Sequence, residues 1–294
     1  MTSNARIAVI PKILKGVRLL SLALNLPGPA ALMRCQQMGA RCRKLEPPSG
    51  DPMRHYSPGA YAQLHEGVSV LAADLKSEAG QKTLHKELAK ADVLITSFRP
   101  SAIEKLGLGW KSLHRLYPAL SQIVIVGSPG ARAEEPGHDL TYLAENNLVA
   151  GLELPATLFA DMGGSLMASE AVLQATLQKR ATGKGIRIEV ALSDAAGYLA
   201  LPRQWGLTQP TGFVGGAHAG YGVYACKDGR VAVAALEPHF AAALCLAAGL
   251  PTSDVASLQS SAAHAAMAAF FKQRTRKELD ALGADRDIPL HTLA

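Results

Sequence analysis

The chain has 294 residues, 48% hydrophobic and 18% charged, which supplies a sizeable core and is far from the composition of a disordered segment. The net charge of +6 invites nucleic acid, but the basic residues are scattered and aromatics reach only 5%, so there is no stacking platform beside a basic stripe and no nucleic-acid partner is expected. Pro11, Lys12, Lys15, Gly16 and Arg18 interrupt the N-terminal apolar runs before they reach the length of a signal core or membrane span, so a cytoplasmic protein without membrane contact is expected.

In chain order, "VRLLSL" reads as a strand, "PAALMRCQQMG" as a helix ending at Gly39, and "RCRKLE" as a second strand, together a βαβ unit. The alternation resumes with the strand "VSVLAADL", the helix "SEAGQKTLHKELAKA" opened by Ser77, the strand "DVLITSF", two short helices to Leu116 and the strand "SQIVIVGS". Such alternation favours a mainly parallel sheet covered by helices. From Asp161 a long helix runs to "ATGKG", followed by the buried strand "IRIEVAL" and the helix "DAAGYLALPRQWG". "YGVYACKDGRVAVAAL" reads as a hairpin around a Lys-Asp-Gly turn. Alanine-rich helices fill 238 to 283, and "DIPLHTLA" reads as a last short strand. One large and one small lobe are expected.

Cys35, Cys42, Cys226 and Cys245 lack C-x-x-C spacing and have no neighbouring histidine in ligand register, so they read as buried thiols, and no metal site is expected. There is no G-x-S-x-G, no phosphate-binding loop of the G-x-x-x-x-G-K type and no G-x-G-x-x-G fingerprint. Three polar residues stand out by their settings: His138 after Pro-Gly, Asp161 ahead of Gly163 and Gly164 at a helix start, and Glu237 at a strand end before Pro238. Each has a plain structural alternative. Asp161 suits a helix N-cap, Glu237 could open a helix, and His138 could be a loop histidine.

These residues sit within "LKGVRLLSLALNLPGP", "VLAADLKSEAG", "ADVLITSFRPSAIEKLGLG", "PGHDLTYLA", "FADMGGSLMASEAVLQA" and "YGVYACKDGRVAVAALEPHF". With them the chain resembles the family III CoA-transferase superfamily, and within it the α-methylacyl-CoA racemases. "FRP" followed by "EKLGLG", and the D-x-G-G helix start, carry the superfamily likeness; His138, and Glu237 within "LEPHF", point to the racemase branch.

The resemblance implies a Rossmann-like α/β large lobe with a mainly parallel sheet, a smaller α+β lobe and an interlocked homodimer. The implied division is 1–160 as the large CoA-binding lobe, 161–184 as a connecting helix, 185–255 as the small lobe, and 256–294 as C-terminal helices returning toward the large lobe and cut short. It also implies two-base exchange at the α-carbon of a 2-methylacyl-CoA, with His138 and Asp161 as the proton carriers on opposite faces. The Asp139 backbone N–H would stabilise the enolate and Glu237 would orient the imidazole. CoA would enter as part of the substrate, with no tightly bound cofactor. Its adenine would lie beside Ala73, Asp74 and Leu75, and its phosphates near Lys76 and Arg99.

The chain departs from the family pattern in places. "LHEGVSV", with Glu66, stands where a basic stretch is usual, and Pro47 stands at a frequent arginine position. The loop between His138 and Asp161 is shorter than in the family, and relatives continue beyond a strand like "DIPLHTLA". Two other readings stay open, the second of them supported by these departures. One is a CoA-transferase in which the Asp161 carboxylate attacks the thioester, and the other is a weakly active or non-catalytic acyl-CoA-binding protein.

Overall fold

The computed structural model describes residues 11–251 and 255–294. The first ten residues of the expected large lobe, and 252–254 of the expected helical stretch, lie outside the described residues. The chain divides into two compact units, Met1–Ala200 and Leu201–Ala294.

In the first unit, β1 (Arg18–Ser21), β2 (Arg41–Glu46), β3 (Ser69–Ala72), β4 (Val93–Thr96), β5 (Ser121–Val126) and β6 (Arg187–Ala191) form one sheet in the order β3-β2-β1-β4-β5-β6. Every pairing in it is parallel. β4 and β5 are buried along their whole length, as a sheet covered on both faces requires. Their successive residues point into two different cores. Leu19, Val93, Ile95, Ile123 and Ile125 pack with Leu32 and Cys35 of the helix Pro27–Gln37 and with Ala168 and Val172 of the helix Phe159–Thr182. Leu20, Leu94, Val124 and Val126 pack on the other face with Leu84 and Leu88 of the helix Glu78–Leu88 and with Leu113. The register Leu20↔Leu94 and Ile95↔Ile123 keeps like-facing side chains abreast, each buried side chain contributing roughly 1.5–3 kcal/mol.

The order of strands reverses between β1 and β4. Loops leaving the carboxyl ends of these two strands run to opposite sides and leave a crevice, the usual ligand position in an open parallel sheet.

The second unit holds an antiparallel sheet of β7 (Tyr221–Cys226), β8 (Gly229–Ala234) and β9 (Leu290–Leu293), in that order. The expected hairpin turn is present, with Gly229 at φ 159°. A side chain there would meet the Leu293 carbonyl of β9. The helices Pro238–Ala248, Ser261–Lys272 and Arg276–Arg286 cover this sheet through Leu244, Met267, Phe271 and Leu279.

Several expected boundaries move. The long helix begins at Phe159, not Asp161, and ends on Gly183 in the left-handed conformation. Residues 185–200, expected in the small lobe, supply β6 and the helix Leu192–Leu199 of the first unit, because β6 extends the parallel sheet beside β5. Residues 256–294, expected to return to the large lobe, complete the second unit, since β9 pairs with β8. The helix expected over 194–206 is broken after Leu199, just ahead of Pro202. Among the described residues, no helix is long and apolar enough to cross a membrane. All four cysteines are buried and unpaired, and burial pushes the Cys35 thiol up to about 12.

Candidate active site

The crevice at the reversal point is a cleft of about 210 Å³. Leu24 and Asn25 from the β1 loop, Ser97 to Arg99 from the β4 loop, and Gly127, Gly137, His138 and Tyr142 from the segment after β5 line it with Asp161. His138, Asp161 and Arg99, three of the residues singled out in the sequence, thus share one cavity.

His138 precedes the helix Asp139–Glu145 in extended conformation, φ −142° and ψ 169°. The turn is closed by Thr141, whose hydroxyl accepts from the His138 N–H at 3.0 Å and donates to the His138 carbonyl at 2.7 Å. The loop leading to His138 is tied down at the surface. Arg132 pairs with Glu135 and Glu145, and Glu134 accepts the Ser101 N–H at 2.6 Å. Exposed pairs of this kind contribute little stability but set the loop's path.

Tyr142 fixes that path from within. Its hydroxyl lies where a side chain on Gly127 would stand, 2.2 Å from that Cβ position, and 2.6 Å from the same position on Gly137. Only glycine at both points lets the end of β5 and the residue before His138 close on the phenol. Burial, with the Asp161 charge adding to it, raises the Tyr142 pKa and keeps the phenol protonated.

Asp161 is the third residue of its helix, so the N-cap reading does not hold; Leu158 stands at the cap. The Asp161 N–H is one of the first-turn donors without an intrahelical partner, and the Asp139 Oδ1 accepts it at 2.9 Å. The buried Asp139 carboxylate, which the sequence reading left unused, therefore links the two helix starts. Asp139 is itself the first residue of its helix, so its own N–H has no acceptor within that helix. Gly164 lets the long helix approach Leu192, whose Cδ2 lies 2.2 Å from the position a Cβ would take.

The electrostatics of Asp161 are unusual for a carboxyl group. Burial and then the Asp139 charge push its pKa up to about 6 from an ordinary 3.8, against the opposing pull of His138. A group with this pKa exchanges protons readily at neutral pH.

The remaining expected residues are placed elsewhere. Ala73, Asp74, Leu75 and Lys76 follow β3, two strands from β1, and do not line the cleft. There the Lys76 N–H donates to Asp74 Oδ1 at 3.0 Å and the buried Ala73 gives its N–H to the Glu46 carbonyl. The side chains of Lys76 and Arg99 are exposed. Glu237, also exposed, stands in the second unit at the N-cap position of the helix Pro238–Ala248.

One feature beside the cleft escaped the sequence reading altogether. Lys44 in β2 is fully buried, and its ammonium lies 2.5 Å from Asp51 Oδ2, 2.9 Å from His65 Nε2 and 3.2 Å from Glu46 Oε1. Glu46, Asp51 and His65 could converge on a metal ion, yet the ammonium already stands among all three. Burial, with the Lys44 charge adding to it, lowers the His65 pKa and leaves a neutral ring that accepts from Lys44 and donates through Nδ1 to the Tyr61 carbonyl at 2.7 Å. Asp51 in turn accepts the Asn25 N–H with both oxygens, at 3.1 and 3.2 Å, at the edge of the cleft.

The chain is similar to solved structures over nearly all its length. A hypothetical protein from Mycobacterium tuberculosis superposes with a TM-score of 0.84 at 24% identity, over 97% of this chain and 86% of that one. A CAIB/BAIF family protein from Brucella suis gives 0.80 at 25% identity, over 96% and 84%. Among sequences, the α-methylacyl-CoA racemase of Mus musculus is 32% identical over 270 residues, 85% of this chain and 68% of that protein. The cinnamoyl-CoA:phenyllactate CoA-transferase of Clostridium sporogenes is 30% identical over 204 residues, 62% of this chain and half of that protein. The model of CoA-transferase family III matches residues 14–294, and the chain belongs to that family.

Proposed function

We propose that the chain inverts the α-carbon of 2-methylacyl-CoA thioesters by two-base proton exchange between His138 and Asp161. The observation that carries this is the carboxyl of Asp161, raised to about 6, in the same cleft as the imidazole. One base takes the α-proton while the other, protonated, returns a proton to the opposite face; the two groups end with their protonation states exchanged. The electron pair left by the proton moves onto the thioester oxygen, where the Asp139 N–H is the assigned donor. Reset occurs by exchange with solvent or by turnover in the reverse direction.

CoA enters as part of the substrate. In this reading Arg99, at the cleft, and Lys76, at the end of β3, meet its phosphates, and the backbone of Ala73, Asp74 and Leu75 meets its adenine. Glu237 orients the imidazole within a homodimer, where active sites form between chains. The relative from Mus musculus, named a racemase, supports this reading.

A second reading is favoured by the relatives named as CoA-transferases at 30% and 29% identity. There the Asp161 carboxylate attacks the thioester carbonyl, the C–S bond breaks, and an acyl anhydride and the CoA thiolate form. One experiment separates the two. The enzyme is incubated in D2O with (R)-2-methylacyl-CoA, with and without a free carboxylic acid. Deuterium at the α-carbon with loss of optical purity supports exchange; formation of a new thioester without α-deuterium supports transfer.

A further inference from the structure

Asn25 has φ 63°, a left-handed conformation that glycine adopts freely and that asparagine enters more readily than most other residues. A loop that needed only this turn would be served by glycine. Every hydrogen bond Asn25 makes among the described residues uses its backbone N–H, spent on the Asp51 carboxylate. The carboxamide makes no hydrogen bond among the described residues, and the exposed Asn25 lines the cleft together with His138 and Asp161. A polar side chain without a protein partner at a cleft, on a backbone held by buried groups, is free to meet a ligand.

The support beneath Asn25 is equally specific. Asp51 is wholly buried and held by the Lys44 ammonium, itself wholly buried, so the acceptor that fixes the Asn25 backbone cannot drift into water. Met53 adds a third backbone bond to Asp51, at 2.9 Å. The Leu24 N–H, one residue back, donates to Ser97 Oγ at 3.3 Å and joins the β1 loop to the β4 loop.

We infer that Asn25 is a further substrate-contacting residue, its carboxamide N–H donating to the carbonyl oxygen of an acyl thioester, and that the buried Lys44–Asp51 pair is the positioning device that holds it there. The inference rests on the acyl-thioester reading above. The carbonyl oxygen is two bonds from the carbon that His138 and Asp161 flank in that reading, so a donor in the same small cleft is in reach of it. Negative charge gathers on this oxygen as the α-proton leaves, and a fixed, neutral donor at the spot strengthens as the charge grows.

The test compares propionyl-CoA with S-propyl-CoA, a thioether that lacks the carbonyl, by titration calorimetry. Asn25→Gly is the clean variant, since glycine fits the positive φ and the fold should melt no lower than wild type. It should weaken propionyl-CoA roughly five- to tenfold and leave S-propyl-CoA unchanged. Asp51→Asn should lower the ratio of the two affinities in the wild-type background and not in Asn25→Gly; a merely structural role would weaken both ligands equally. Wild-type affinity of Asn25→Gly for propionyl-CoA, or equal losses for the two ligands, would overturn the contact. An unchanged ratio in Asp51→Asn would overturn the positioning role. A wild-type protein that binds neither ligand would instead remove the acyl-thioester reading itself.

Discussion

The buried Asp139 carboxylate accepts the backbone N–H of Asp161 at 2.9 Å and so joins the first turns of two helices beside the cleft that Asp161 lines. The same contact sets two negative charges close together, and the second charge helps raise the pKa of the first. Structure and proton affinity thus have one origin.

This arrangement predicts the pH dependence of catalysis from the Asp161 face. The carboxyl acts as a base only when ionised, so removal of the α-proton by Asp161 should rise with pH through about 6. Asp139→Asn keeps an oxygen to accept the Asp161 N–H and removes the charge. Its rising limb should move to lower pH; a limb unmoved, or moved upward, in a pH–rate profile would contradict the electrostatic account.

Stability should carry the opposite signature. The folded-state value of about 6 lies above the ordinary 3.8, so folding takes up a proton between them and stability falls as pH rises from about 4 to about 6. Above that range the ionised carboxylate costs up to roughly 3 kcal/mol. Asp161→Asn should therefore be more stable than wild type by roughly 1–3 kcal/mol at pH 8 and nearly equal to it at pH 4. Denaturant unfolding at the two pH values checks this, and a variant less stable at pH 8 would refute it.

Gly127→Ala should displace the Tyr142 phenol, because the new methyl group would stand 2.2 Å from its hydroxyl oxygen. The expected destabilisation is roughly 1–3 kcal/mol, as in other overpacked sites. Adding Tyr142→Phe removes the clashing atom and leaves the ring carbon Cζ at 3.1 Å, so the double variant should recover most of the loss. A double variant no more stable than Gly127→Ala alone would show that the hydroxyl is not what the glycine accommodates.

Lys44→Met should be the more damaging change, since it leaves Glu46 and Asp51 buried without their shared cation. Removing one partner of a buried pair costs roughly 3–5 kcal/mol. A loss under 1 kcal/mol in thermal or denaturant melts would mean that water, with Arg54 already 3.4 Å from Glu46, satisfies these carboxylates without Lys44.

Much of this was legible in the amino-acid order. The apolar runs "VLIT" and "QIVIV" give strands buried on both faces, and Ser77 caps its helix by accepting the Gly80 N–H at 3.0 Å. His138, Asp161 and Arg99 were recognisable through their neighbours and do share a cleft. What was hidden depends on long-range approach. Lys44 sits in "RCRKLE" like any strand lysine, and its burial follows only from Asp51 and His65 folding over the end of β2. The Asp139 carboxylate and the left-handed turn at Asn25 were invisible for the same reason: their partners are 22 and 26 residues away. The boundary expected at 185 failed because "IRIEVAL" carries no mark of which sheet it joins.

The claim that His138 and Asp161 work as an opposed pair is tested most directly by following α-deuterium in D2O separately for the two enantiomers of one 2-methylacyl-CoA. His138→Ala should stop exchange of the enantiomer whose proton His138 takes, while the other enantiomer continues to exchange without inverting, because Asp161 both removes and returns the proton on its own face. Asp161→Asn should show the reverse pattern. Exchange of both enantiomers at the wild-type rate in His138→Ala would contradict the account.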